Sequence, residues 1–154
     1  MIRKARPDDC AAIMAIVNAF AARGLMLPRT LEEIRERLAD FLVCESDGRI
    51  VGCAALHVSD KGLGEIRSLA VLEEAQRSGV GAGLVRGCLD EARERGMTQV
   101  FALTYVREFF RRLGFRDYAK EDLPSKIWSD CFKCSKRENC DEEAMIIQLG
   151  EPAQ

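Results

Sequence analysis

The pattern with the clearest chemical spacing is Gln76-Arg77-Ser78-Gly79-Val80-Gly81-Ala82-Gly83-Leu84. Its glycines remove β-carbons where backbone N–H groups must approach a ligand, and a helix starting there would add its positive N-terminal end. The chemistry is that of a pyrophosphate cradle. Taken alone, Gly-x-Gly-x-Gly also fits close packing of a helix on a sheet or, with other spacing, a dinucleotide site. A nucleotide-binding βαβ unit would open near the first strand of a parallel sheet, and a Walker loop would end Gly-Lys-Ser or Gly-Lys-Thr; neither condition holds here. A second pattern, Cys131-x-x-Cys134-x5-Cys140, offers three soft ligands at metal-like spacing. A closed zinc site needs a fourth, no histidine lies nearby, and Asp130, Asp141 or a water would have to complete it. Packed or free thiols are the expected state, with no metal cofactor, and Cys10, Cys44, Cys53 and Cys88 read as core positions. His57, the single histidine, could act as a base by its side-chain type, but a lone histidine in an apolar strand is more often packed and satisfied.

These residues need elements to position them. Ile2 to Arg6 predicts a short strand, and Pro7, Asp8 and Asp9 a helix start ahead of the apolar stripe Ile13, Met14, Ile16, Val17 and Phe20, closed by Gly24. Thr30 with Glu33 three residues on is a capping box for a second helix with Leu31, Ile34 and Leu38 on one face. Gly24 to Arg29 is the loop between them. Phe41 to Glu45 and Arg49 to Val58 form an antiparallel pair around a tight Asp47-Gly48 turn. After a loop at Ser59 to Gly64, a third strand runs from Glu65 to Leu72, and the glycine turn leads into a helix ending near Arg95, with Gly96 as its stop. Gln99 to Thr104 predicts another strand, Arg107 to Leu113 a short helix stopped by Gly114, and Ala144 to Leu149 a final strand. The polar, cysteine-bearing stretch 120–143 is longer than an ordinary connection.

At 154 residues, 47% hydrophobic and 31% charged, the chain suits one domain over 1–150 carrying that insertion. A net charge of −2 gives no electrostatic reason to expect nucleic acid or an anionic membrane as partner. The expected partner is a small molecule, and a homodimer is left open. The start, MIRKARPDD, lacks the apolar core of a signal peptide, and no apolar run approaches spanning length, so the expected location is cytoplasmic.

Gln76, Gly79 and Gly81 match the pattern Gln/Arg-x-x-Gly-x-Gly/Ala, and the segment resembles the acetyl-CoA motif of the GNAT acetyltransferases. Ile66-Arg67-Ser68-Leu69-Ala70-Val71 is similar to that family's central strand, and Phe109-Phe110-Arg111-Arg112-Leu113-Gly114-Phe115 to its Phe-Tyr-x-x-x-Gly-Phe segment. The resemblance covers nearly the whole chain. It implies an α/β (α+β) GNAT fold, a central mixed, mostly antiparallel sheet flanked by helices. It also implies acetyl-CoA as co-substrate, with Leu69, Ala70 and Val71 pairing with the pantetheine arm and the amides of Arg77 to Leu84 holding the pyrophosphate. Attack of a neutral amine on the thioester needs a base, donors for the oxyanion and an acid for the thiolate, but no nucleophilic cysteine.

Phe110 stands where the family commonly has a proton-donating Tyr. In this the chain resembles the N-acetylglutamate synthase branch, where a Trp-Phe-x-x-x-Gly-Phe segment follows a strand ending Leu-Thr or Leu-Ser, as Leu103-Thr104 does here. Leu27 to Glu33 and Cys131 to Cys140 are similar to the Leu-Pro-Arg segment and Cys-containing insertion of the short stand-alone synthase. The implied reaction is transfer of acetyl to the α-amino group of L-glutamate, a step of arginine biosynthesis. Glu65 takes the general base's place by resemblance, and burial there would raise its pKa towards a useful value. Thr104 and Tyr105 are the candidate acids. Arg29, Arg67 and Arg107 are the candidate cations for a dicarboxylate, each also readable as a surface arginine. The rival readings are a GNAT enzyme for another amine and a non-catalytic acetyl-CoA sensor; arginines rather than acids beside Glu65 favour an anionic substrate.

Overall fold

The apolar runs resolve into seven strands and four α-helices in a computed structural model that describes residues 1–60, 62–119, 122 and 143–150. In chain order these are β1 (Ile2–Lys4), α1 (Cys10–Ala22), α2 (Leu31–Glu36), β2 (Phe41–Ser46), β3 (Arg49–Asp60), β4 (Leu63–Val71), α3 (Val80–Glu94), β5 (Gln99–Thr104), α4 (Arg107–Arg112), β6 (Arg116–Tyr118) and β7 (Glu143–Gln148). The strands form one sheet in the order β1-β2-β3-β4-β5-β7-β6. β1–β2, β2–β3, β5–β7 and β6–β7 pair antiparallel, whereas β4 and β5 pair parallel. The sheet is therefore mixed and mostly antiparallel, as expected.

The chain divides into two compact units, Met1–Leu56 with Ile66–Glu91, and His57–Glu65 with Ala92–Gln154. In the first, α1 lays Ile13, Ile16 and Val17 on Phe41, Val43, Cys53 and Ala55, with Ile34 of α2 in the same cluster. Full burial of aliphatic side chains of this kind contributes about 1.5–3 kcal/mol each relative to exposure. The β2–β3 turn has Asp47 at φ 52° and Gly48 at φ 78°, the pair of positive angles that lets a two-residue turn follow the twist of its strands. Arg3 ties the edge strand down, with Nη1 2.8 Å from Asp9 Oδ2 and Nε 2.9 Å from Glu45 Oε1. Those contacts hold the Asp9 carboxyl below its usual range, the hydrogen bond from Arg3 being the largest cause. Cys10, Cys44, Cys53 and Cys88 are buried free thiols; burial pushes the Cys53 and Cys88 thiols up to about 12.

In the second unit Leu63, Phe101, Ala144 and Ile146 make a separate apolar cluster. The loop expected over Ser59 to Gly64 is shorter than that: β3 continues to Asp60 and β4 begins at Leu63, because Ser59 and Asp60 sit on an extended strand despite their turn-forming side chains. β6 was not anticipated, since Arg116-Asp117-Tyr118 has no apolar alternation and owes its strand to pairing with β7 at Ile146, Met145 and Ala144. Cys131, Cys134 and Cys140 of the insertion lie outside the described residues. Among the described residues no helix is long and apolar enough to cross a membrane, and no group of potential ligands gathers for a metal.

Candidate functional site

The first unit carries the glycine turn. β4 ends at Val71, a 3-10 turn spans Glu73–Ala75, and the backbone then reverses hand twice before α3, with Arg77 at φ 66° and Gly79 at φ 86° on either side of Ser78. Such alternation points successive N–H groups the same way and builds an anion-accepting concavity. Arg77 holds this conformation without being glycine, at a conformational cost of about 1–2 kcal/mol, so the turn is held by its surroundings. Gln76 Nε2 donates to the Val71 carbonyl at 2.9 Å, and the Ser78 hydroxyl donates to the Ala75 carbonyl. Both bonds brace the turn from within.

The first intrahelical bond of α3 is Gly83 N–H to Gly79 O at 2.9 Å. The amides of Val80, Gly81 and Ala82 precede it and have no carbonyl one turn back to reach. Gly83 therefore differs from its neighbours in the motif: its amide is engaged inside the helix, and a β-carbon there would lie 3.5 Å from Ile2 of β1, so its small size faces the packing side. Leu84 is fully buried. Gly52 of β3 lies under the same helix turn, where a β-carbon would meet the Ala70 carbonyl, Leu84 Cδ1 and Val80 Cγ1, each at 3.2 Å.

In β4, Leu69 is half-buried and Ala70 and Val71 are buried. Ser68 adopts φ 54° in mid-strand, a conformation a serine takes only when tertiary contacts impose it. The Cys53 thiol donates to its carbonyl at 3.4 Å. Sequence reasoning gave no sign of this break, because serine has no marked left-handed preference. Arg67 is half-buried. Arg29, on the α1–α2 loop, has 21% of its side chain exposed and sits 3.7 Å from Glu33.

The second unit holds the other candidates. Glu65 is only 6% exposed and is the last β4 residue in the parallel register with β5, opposite Phe101. It is no solvated edge residue. Thr104, at the end of β5, is 6% exposed, and its Oγ1 accepts from the Val106 N–H at 2.9 Å. That bond uses a lone pair and leaves the hydroxyl hydrogen to donate elsewhere. Tyr105 is 37% exposed. Arg107 is half-exposed and lies 3.7 Å from Asp117, which also binds Arg111 at 3.1 Å. Phe110, where a proton-donating Tyr would stand, is buried, with its ring edge-on to Phe109 and Phe115 at centroid distances of 5.1 Å. This is a packing role with no proton to give. His57 is half-buried on β3.

The comparisons place a chain with this strand order, break in β4 and braced glycine turn among the acetyltransferases. The chain matches the Acetyltransferase (GNAT) family over residues 10–115, and it belongs to that family. An uncharacterized N-acetyltransferase of Chlorobaculum tepidum is 43% identical over 148 residues, 96% of each chain. An amino-acid acetyltransferase of Mycobacterium tuberculosis is 34% identical over 84% of this chain and 76% of its own. Among solved structures, N-acetylglutamate synthase from Neisseria gonorrhoeae, complexed with coenzyme A and N-acetyl-glutamate, superposes with a TM-score of 0.88 at 29% identity. That match covers 98% of this chain and 35% of the synthase chain, so this chain spans about a third of the synthase.

Proposed function

We propose that this protein transfers the acetyl group of acetyl-CoA to the α-amino group of L-glutamate, a step of arginine biosynthesis. The observation that carries the reading is the likeness of 98% of the chain to a synthase holding coenzyme A and N-acetyl-glutamate. The relative from Mycobacterium tuberculosis, named for amino-acid acetylation, points the same way.

The residues suit the chemistry. Acetyl-CoA supplies an activated thioester, so the protein's task is to hold it, bind the amino acid and move one proton. The amides of Arg77 to Ala82 take the pyrophosphate, and Leu69 to Val71 offer strand backbone to the pantetheine arm. Glu65 takes the ammonium proton, directly or through a water. The amine nitrogen then bonds to the thioester carbon, the C–S bond breaks and the electron pair leaves on sulfur. Thr104 or Tyr105 is the acid that protonates the departing thiolate, and the second proton given up by nitrogen as the amide forms restores that acid. Arg29, Arg67 and Arg107 are the proposed cationic partners for the substrate carboxylates, and a guanidinium binds a carboxylate through two parallel bonds.

The test is coenzyme A release with glutamate, glutamine, aspartate, lysine and spermidine at equal concentration. Glutamate should be fastest. Glutamine would leave a desolvated arginine without its anion, a loss on the order of 2–4 kcal/mol. Faster turnover of a cationic amine refutes the glutamate reading and leaves the family membership intact.

A further inference from the structure

The Arg29 loop is held by something the glycine and arginine motifs do not foretell. Asn18, which belongs to neither motif and lies on α1 beside the buried Ile16 and Val17, reaches across to it. Its Oδ1 accepts from the Arg29 N–H at 3.0 Å, and its Nδ2 donates to the Arg29 carbonyl at 3.1 Å. One amide side chain thus binds both backbone groups of a single residue, as a neighbouring strand would, and fixes the orientation of the peptide on each side of it. The next donor is held as well: Glu33 Oε1 accepts from the Thr30 N–H at 3.0 Å. Pro28, immediately before, has its φ fixed by its ring. Three consecutive backbone groups around Arg29 are therefore bound by side chains from two helices, while the Arg29 side chain stays partly exposed at 21% and its Nη1 lies 3.7 Å from Glu33 Oε2.

We infer that Asn18 is a positioning residue for substrate binding: it anchors the Arg29 backbone so that the guanidinium meets a substrate carboxylate from a fixed base. The inference rests on the reading of Arg29 as a glutamate-binding residue. Both clamped groups are only part-buried, so water can replace Asn18 as their partner. The fold then loses little, whereas the loop gains conformations, and each must be given up when glutamate binds.

The experiment is steady-state kinetics with glutamate varied at saturating acetyl-CoA, on Asn18→Ala, Asn18→Asp, Arg29→Ala and Asn18→Ala/Arg29→Ala. Asn18→Asp is nearly isosteric; it keeps the acceptor for the Arg29 N–H but sets an oxygen against the Arg29 carbonyl. Each Asn18 variant should raise the KM for glutamate by about 10-fold, the scale of a lost pre-organising anchor. The kcat and the KM for acetyl-CoA should stay within about twofold of the parent, as for uniform binding lost at one ligand only. In the Arg29→Ala background the Asn18→Ala change should have no further effect. An unchanged glutamate KM in both Asn18 variants, or an equal effect with and without Arg29, overturns the positioning role. An Arg29→Ala variant with normal glutamate KM overturns the assignment of Arg29 itself. A parent that does not acetylate glutamate overturns both. Should Asn18→Ala fail to fold, Asn18→Asp with Arg29→Ala still decides between these outcomes.

Discussion

Replacing Gly52 by alanine tests whether the floor under the glycine turn sets its shape. The new methyl would sit 3.2 Å from three atoms: the Ala70 carbonyl oxygen, Leu84 Cδ1 and Val80 Cγ1. None gives way easily, since the carbonyl belongs to a strand and Leu84 is fully buried. Overpacking of this size costs about 1–3 kcal/mol, and the lower chain entropy of alanine in the unfolded state offsets about 0.5–1 kcal/mol of it. Taking the middle of each range, the net destabilisation is about 1 kcal/mol, a fall in melting temperature of about 2–4 °C for a chain of this length. Relief comes by moving the first turn of α3, and with it the amides proposed to hold the pyrophosphate. Coenzyme A binding, measured by calorimetry, should weaken about 3–10-fold, since oriented N–H groups lose strength with misalignment. A melting temperature equal to or above the parent's, with unchanged coenzyme A affinity, refutes the reasoning. A lower melting temperature with unchanged affinity refutes the link between this floor and the cradle.

Glu65→Gln should lower kcat by about 100-fold or more while leaving the Kd for coenzyme A nearly intact, because it removes a base and little volume; an unchanged rate at neutral pH moves the proton transfer to His57 or to solvent. Gly81 replaced by a bulky residue should abolish coenzyme A binding, and calorimetric affinity equal to the parent's means that the cradle lies elsewhere. The Cys53 and Cys88 thiols, held up at about 12 by burial, ionise more readily unfolded than folded, so they favour the fold below about pH 9 and this advantage is lost as pH rises from about 9 towards 12. By pH 10 each costs on the order of 1 kcal/mol, and urea midpoints at pH 8 and 10 should converge for Cys53→Ala relative to the parent. Asp9, its carboxyl held low by Arg3, contributes above its unfolded value of about 3.8 and stops contributing as pH falls below it; Asp9→Asn should flatten the acid limb of the stability curve, and an unaltered limb counts against this ion pair.

The elements with strong periodicity were legible in the sequence. α1 follows from the spacing of Ile13, Ile16 and Val17, and the capping box at Thr30 is present as expected, with Thr30 Oγ1 accepting from the Glu33 N–H at 3.1 Å. The glycine stops hold, with Gly96 at φ 78° and Gly114 at φ 100°. Features that depend on partners distant in sequence were not legible. Asn18 reads as one polar residue on an amphipathic helix until Arg29 is seen against it. Ser68 reads as strand interior, and its positive φ comes from tertiary context. Gly83 reads as a third cradle glycine, yet its amide bonds to the Gly79 carbonyl and a β-carbon there would face Ile2 of β1, which no spacing rule supplies. For the candidate site, the turn was readable because a motif of contiguous residues encodes it, whereas the burial of Glu65 and the orientation of Thr104 depend on the sheet around them.

The two-residue turn at Asp47 and Gly48 bears on the order in which the chain acquires its structure. β2 and β3 meet across a loop of only two residues, so their pairing carries little closure entropy, and hairpins of this kind form in about 1–10 μs. Glu65 waits on a different event, since its parallel register with Phe101 forms only after the whole of α3 has been traversed. Mutations near Asp47 and Gly48 are then expected to slow refolding, whereas those beside Glu65 speed unfolding. The strand end bearing the proposed base is thus the part whose integrity reports on lifetime of the native state rather than on its speed of formation.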